Sequence, residues 1–239
     1  MTVKLVIVGT GRMGTIIDEM ACADSDFEVV ARIDTQAEAL AESGPAADVV
    51  IDFSHESMLP AVAAYVRRTG AALVSGTTGY APEQMEMLAE LGERAAVLHS
   101  ANYSLGVAVL RRLAAQAAEA LTGFDIEIVE THHNQKADAP SGTAKLLLDA
   151  VNPEGALEPV YGREGMCGKR DPREIGVHAL RGGTVAGVHT VSFFGEDEEV
   201  SLTHRATSRR IFAAGAVAAA RKMAGREPGF YTFDDVMFA

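Results

Sequence analysis

The feature that most constrains this chain is the junction from Val3 to Gly14, where the apolar run VKLVIV passes directly into Gly9-Thr10-Gly11-Arg12-Met13-Gly14 and then into a helical pattern. A G-x-G-x-x-G between a strand and a helix allows a tight turn and close approach of the backbone to a phosphate. It also opens the helix with unpaired N–H groups that favour an anion. Asp34 closes the second apolar run twenty residues beyond Gly14, where a carboxylate can accept ribose hydroxyls. A plain strand-to-helix turn needs no such acid. Gly9, Thr10, Gly11, Arg12, Met13, Gly14 and Asp34 are therefore candidate dinucleotide-binding residues.

The next ninety or so residues repeat the pattern. Runs at 27–33, 48–53, 71–75 and 95–99 are nearly continuous in apolar residues, as strands buried on both faces are, and helical patterns at 13–23, 57–68 and 82–93 lie between them. This alternation predicts an α/β, Rossmann-like parallel sheet, which binds ligands at the carboxyl ends of its strands. Two loops leave that edge, Ser75-Gly76-Thr77-Thr78-Gly79-Tyr80 and Ser100-Ala101-Asn102-Tyr103-Ser104. They could present backbone to a nicotinamide, although the same residue types build ordinary turns. Thr35, not a cation, follows Asp34, which favours NADH over NADPH. Arg12 and Arg32 are near enough in sequence to serve a 2′-phosphate instead, so both cofactors stay open.

Past Asn102 the pattern changes. A helix over 104–121 leads to a strand in which Phe124, Ile126 and Ile128 alternate with Asp125 and Glu127. Alternating runs at 176–180, 184–194 and 198–206 follow without long helices between them, so this half is expected to be α+β with a mixed or antiparallel sheet. A helix over 209–223 and a short tail end the sequence and could dock on either half. Across 239 residues the net charge is −12, which argues against nucleic acid or an anionic membrane as partner. Cations that meet an anionic substrate must then be local. Cys22 and Cys167 lack metal-ligand spacing, no signal segment or membrane span is visible, and a reduced, cytoplasmic chain is expected.

Chemistry concentrates in Glu130-Thr131-His132-His133-Asn134-Gln135-Lys136-Ala137-Asp138-Ala139-Pro140-Ser141-Gly142-Thr143-Ala144. Ser141, Gly142 and Thr143 precede an apolar run and read as a helix start, where N–H groups bind a carboxylate. Lys136 can add a positive charge. Of His132 and His133, which point to opposite faces if the strand continues, one can deliver a proton near pH 7 and the other bind. Each feature alone has a structural explanation: a paired His, a solvated Lys, a simple cap. Together, behind a dinucleotide fold, they point to a reductase of a small dicarboxylate. No third ligand is spaced for a metal at the His pair. His55, His99, His178, His189 and His204 are read as structural. Competing readings are another reductase on the same scaffold and a nucleotide-sensing module.

The segment resembles the 4-hydroxy-tetrahydrodipicolinate reductase (dihydrodipicolinate reductase) family, matching its hallmark E-x-H-H-x-x-K-x-D-A-P-S-G-T-A at every position. The likeness extends to GTGRMG, to DFS at Asp52 to Ser54, to SGTTGY and SANYSLGV, and to LTHRATSR at Leu202 to Arg209. It implies a dinucleotide-binding domain of residues 1–103 and 208–239 around a substrate-binding and tetramerisation domain of 104–207. The implied substrate is a cyclic imine dicarboxylate on the route to lysine, reduced by NADH or NADPH with loss of water in a homotetramer. By the same resemblance His132 is the general acid and Lys136 its polar or proton-supplying partner. His133, Ser141, Gly142, Thr143 and Arg209 become substrate ligands, and Phe53, Gly76, Thr77, Thr78, Ala101, Asn102 and Tyr103 join the cofactor contacts. A short connection from Thr35 to Ala47 and the missing Arg after Asp34 depart from the commoner pattern.

Overall fold

A computed structural model describes residues 2–35 and 37–239. Along the chain run β1 (Val3–Val8), α1 (Arg12–Cys22), β2 (Phe27–Ile33), α2 (Ala37–Ser43), β3 (Val49–Asp52), α3 (Leu59–Thr69), β4 (Ala72–Ser75), α4 (Pro82–Gly92), β5 (Ala96–His99) and α5 (Leu105–Ala120). There follow β6 (Asp125–His132), α6 (Gly142–Val151), β7 (Glu158–Val160), β8 (Glu174–Arg181), β9 (Gly187–Phe194), β10 (Glu199–Ala206), α7 (Arg210–Met223), β11 (Gly229–Tyr231) and α8 (Phe233–Met237). The elements form two compact units, Met1–Leu105 with Arg210–Ala239, and Gly106–Arg209.

The first unit holds a six-stranded sheet in the order β11-β5-β4-β3-β1-β2, parallel throughout. Val6, Val8, Val50, Leu73 and Val97 are fully buried in one cluster with Leu59, Val62 and Val66 of α3 and Leu88 of α4, which explains why these strands read as unbroken apolar runs. β1 lies between β2 and β3, so the chain reverses direction across the sheet at its Gly-rich turn. Two stretches differ from expectation. The connection from Thr35 to Ala47 contains α2, whose Leu40 enters the core and whose carbonyls at Leu40 and Ala41, with that of Gly44 just past its end, accept from the Arg68 guanidinium. The tail adds β11 as the sheet's sixth strand, in register with Ala96 to Leu98. Three residues are too short to show a period, so only pairing reveals that strand.

The second unit holds a mixed sheet in the order β10-β9-β6-β8-β7. β6 is parallel to β8 and antiparallel to β9. One face carries Ile126, Ile128, Ile175, Val177, Val191 and Phe193 under Leu110 and Ala114 of α5 and Leu147, Leu148 and Val151 of α6. Further along β6 the same face turns polar at Glu130 and His132. No described helix is long and apolar enough to cross a membrane.

Candidate active site

In the first unit Gly9 has φ +95°, a conformation that favours glycine, and its N–H donates to Ile33 O. A Cβ on Gly14 would stand 1.7 Å from the Gly9 carbonyl oxygen, so Gly14 allows α1 to pack on the turn. A Cβ on Gly11 would meet nothing within 4 Å. Gly11 caps α1, whose first turn has no acidic residue, so open space adjoins a helix end suited to an anion. Thr10 donates through its hydroxyl to Asp34 Oδ1 at 2.6 Å, which orients an exposed carboxylate beside that turn. These residues fit a dinucleotide. Arg12 and Met13 begin α1, with Arg12 exposed. Arg32 is held on Asp18, by Nε–Oδ2 and Nη2–Oδ1 contacts at 2.8 and 2.7 Å, and touches the Cys22 sulfur.

The carboxyl-edge loops divide by exposure. Thr78 and Ala101 are exposed, while Phe53, Gly76 and Asn102 are half-buried. Thr77 and Tyr103 are buried, with 3% and 1% exposure, and act from beneath: the Tyr103 hydroxyl donates to Ser75 O at 2.8 Å and its ring packs between Phe53 and Phe233.

In the second unit the fully buried Glu130 carboxylate makes four contacts to three residues. Its Oε2 lies 2.6 Å from His132 Nδ1 and accepts from Arg181 Nη1 at 2.8 Å, while Oε1 accepts from Arg181 Nη2 at 2.8 Å and from the Ser141 N–H at 3.0 Å. Burial opposes ionisation of Glu130, but Arg181, His132 and the Ser141 N–H outweigh it and hold the carboxyl below its ordinary value. With Nδ1 on the carboxylate, His132 offers Nε2 for proton transfer. Beside that nitrogen is Gly187, where a Cβ would come within 3.1 Å. The His189 ring packs edge-on to His132 at 5.1 Å, and its Nε2 is 3.0 Å from the Ser141 hydroxyl. Burial, with some repulsion from His132, pushes His189 down to about 4, so this ring is neutral at pH 7. Burial also lowers His204, its cross-strand partner, and neither ring's Nδ1 has a hydrogen-bond partner among the described residues.

Lys136 donates to Asp138 at 2.7 Å and follows the end of β6. His133 is the first residue past β6, so the expected alternation of faces stops at His132. Ser141 is 2% exposed. Its N–H goes to Glu130 and its hydroxyl caps Ala144 N, so it braces the start of α6 from inside. Gly142 is exposed and Thr143 half-buried at that helix start. Arg209 is exposed at the end of the unit and makes no side-chain hydrogen bond among the described residues. Sequence reasoning gave no role to Glu130, Arg181 or His189. Glu130 was findable, because residues two apart share a strand face. Arg181 and His189 arrive through register, opposite His132 and Glu130.

A Gly-rich turn on a parallel sheet, with an oriented acid beside it, and a carboxylate-bound histidine in a second unit belong to the NAD(P)H-dependent oxidoreductases. Residues 3–103 match the family model for the N-terminus of dihydrodipicolinate reductase and residues 106–237 that for its C-terminus, so the chain belongs to the dihydrodipicolinate reductase family. The 4-hydroxy-tetrahydrodipicolinate reductase of Caldanaerobacter subterraneus subsp. tengcongensis is 42% identical over 99% of both chains. That of Exiguobacterium sibiricum is 39% identical over 97% of this chain and 95% of its own. Among solved structures, a dipicolinate-bound dihydrodipicolinate reductase from Paenisporosarcina sp. TG-14 is similar with a TM-score of 0.80 at 22% identity over all of both chains. An amine dehydrogenase from Mycobacterium smegmatis shares the fold at a TM-score of 0.63 and 14% identity, over 98% of this chain and 96% of its own. The activity is therefore NAD(P)H-dependent reduction of 4-hydroxy-tetrahydrodipicolinate to tetrahydrodipicolinate with loss of water, in the diaminopimelate route of lysine biosynthesis.

Proposed function

We propose that the first unit binds the cofactor and the second the substrate, and that His132 is the general acid. A bound nicotinamide supplies the hydride. One hydride and one proton enter the cyclic imine dicarboxylate as water leaves, so a positioned proton donor is required. The observation that carries the assignment is the 2.6 Å contact of His132 Nδ1 with a carboxylate that Arg181 and Ser141 hold in place. This pairing places an acceptor on Nδ1, fixes the ring and leaves Nε2 to give the proton. Lys136 is its polar partner. His133, Ser141, Gly142, Thr143 and Arg209 bind the substrate carboxylates, Ser141 also bracing the helix start from within. That a structural relative is described as dipicolinate-bound supports a small dicarboxylate here.

Gly9, Thr10, Gly11, Arg12, Met13 and Gly14 cradle the pyrophosphate, and Asp34 takes the ribose hydroxyls. Phe53, Gly76, Thr77, Thr78, Ala101, Asn102 and Tyr103 form or underlie the nicotinamide edge. NADH is preferred over NADPH, because Thr35 follows Asp34 and Arg32 is engaged by Asp18. A cytoplasmic homotetramer built through the second unit would cover apolar side chains such as Tyr161, Leu180 and Phe194, which are 63%, 49% and 40% exposed.

The test is steady-state oxidation of NADH and NADPH with freshly formed 4-hydroxy-tetrahydrodipicolinate. His132→Gln should lower kcat by about 10² or more, and Lys136→Ala should impair both kcat and substrate KM. Wild-type turnover in the His132 variant would remove the assignment.

A further inference from the structure

Asp52, the last residue of β3, is a carboxylate with 0% exposure at the carboxyl edge of the first sheet. Its Oδ1 accepts from the Ser54 N–H at 3.2 Å and from the Ser54 hydroxyl. Its Oδ2 accepts from the hydroxyls of Thr77 at 3.0 Å, Tyr80 at 3.1 Å and Ser75 at 3.4 Å. Burial holds the carboxyl above its ordinary value although these donors pull it down, and among the described residues no Lys or Arg pairs with it, while burial lowers the neighbouring His99. A carboxylate removed from water without a cation is tolerated only through the donors it gathers. Here they come from β4 and from the loops that follow β3 and β4.

Those loops interlock with the Gly-rich turn. A Cβ on Gly9 would stand 2.4 Å from the Phe53 carbonyl oxygen, and one on Gly76 would stand 2.3 Å from the Phe53 ring. The Phe53 ring also packs 5.3 Å from Tyr103. A displacement of Phe53 and Ser54 would therefore be felt at Gly9, Gly76 and Tyr103 together.

We propose that Asp52 is a positioning residue for the nicotinamide dinucleotide, its carboxylate tying the loops after β3 and β4 into the shape that the cofactor meets. This deepens, and rests on, the reading of that edge as the cofactor site. In Asp52→Asn the carbonyl can still take the Ser54 N–H, and the amide NH2 can donate to hydroxyls that turn to accept. In Asp52→Ala every bond of the carboxylate is gone, and of these side-chain ties between the loops the Ser54 N–H to Thr77 hydroxyl bond at 3.0 Å is left.

NADH affinity of the full chain is measured by calorimetric titration, alongside melting without cofactor and KM for the imine. The expected result is about a tenfold rise in NADH Kd for Asp52→Asn and a larger one for Asp52→Ala, with imine KM within about twofold of wild type. Should Asp52→Ala not fold, Tyr80→Phe removes one donor and keeps the carboxylate, and about a threefold rise is expected. Wild-type NADH affinity in both Asp52→Asn and Tyr80→Phe overturns the proposal, even if melting falls. Gly11→Val separates the two levels. If it too binds NADH like wild type, the cofactor edge itself is misassigned; if it alone loses binding, only the role of Asp52 falls.

Discussion

Replacing Glu130 by Gln exchanges one oxygen for an NH2 at constant volume, but the bonding around it is directional. The Ser141 N–H and both Arg181 nitrogens can only donate. A glutamine therefore keeps its carbonyl on the Oε1 side, where the Ser141 N–H and Arg181 Nη2 arrive, and turns its NH2 towards Arg181 Nη1 and His132 Nδ1. An NH2 can only donate to His132 Nδ1, so the acceptor that holds the ring with Nε2 turned outward is lost. Removing one member of a buried charged pair costs about 3–5 kcal/mol. The Arg181 side chain is 21% exposed and can turn to water, which reduces the expectation to about 2–3 kcal/mol, or a Tm lower by about 4–12 °C. The larger effect falls on chemistry: kcat drops by about 10²–10⁴. Scanning calorimetry and a kcat–pH profile at saturating NADH read the two effects separately. A variant that melts early yet keeps wild-type kcat across the pH range would refute the role of Glu130 in orienting His132.

Two further outcomes follow from the geometry. Gly11→Ala should melt within a few degrees of wild type but bind NADH about 10–100-fold more weakly, because its Cβ meets no protein atom yet enters the space beside the helix start; Gly14→Ala, forced against the Gly9 carbonyl, should instead lose about 1–3 kcal/mol or more of stability. Equal behaviour of the two in calorimetry and NADH titration would contradict that division. For His189 the folded value of about 4 lies below the ordinary 6.5, so the unfolded chain binds the extra proton first as pH falls. Its contribution is complete above about pH 6.5 and is lost towards pH 4, on the order of 3 kcal/mol in all. Urea unfolding at pH 4.5 and 7 should show a smaller difference in His189→Gln than in wild type; an equal difference would rule out this source.

What the sequence determined by itself was whatever local periodicity encodes. Unbroken apolar strands alternating with helices specified the parallel sheet, and the Gly-rich turn with Asp34 gave the candidate for its ligand edge. Likewise Phe124, Ile126 and Ile128, alternating with acids, showed that one face of β6 is buried, so Glu130 and His132 share a side. Tertiary structure decided what depends on register and burial. Arg181 reaches Glu130, and His189 reaches Ser141 and His132, only because β8 and β9 pair with β6 at those positions. Ser141 braces the start of α6 because its N–H meets Glu130 and its hydroxyl meets Ala144 N and His189. β11 exists only by pairing with β5. A period of two or 3.6 residues says which side chains share a face, but hydrogen bonds between strands distant in sequence set which faces meet, and a single sequence carries no direct record of them.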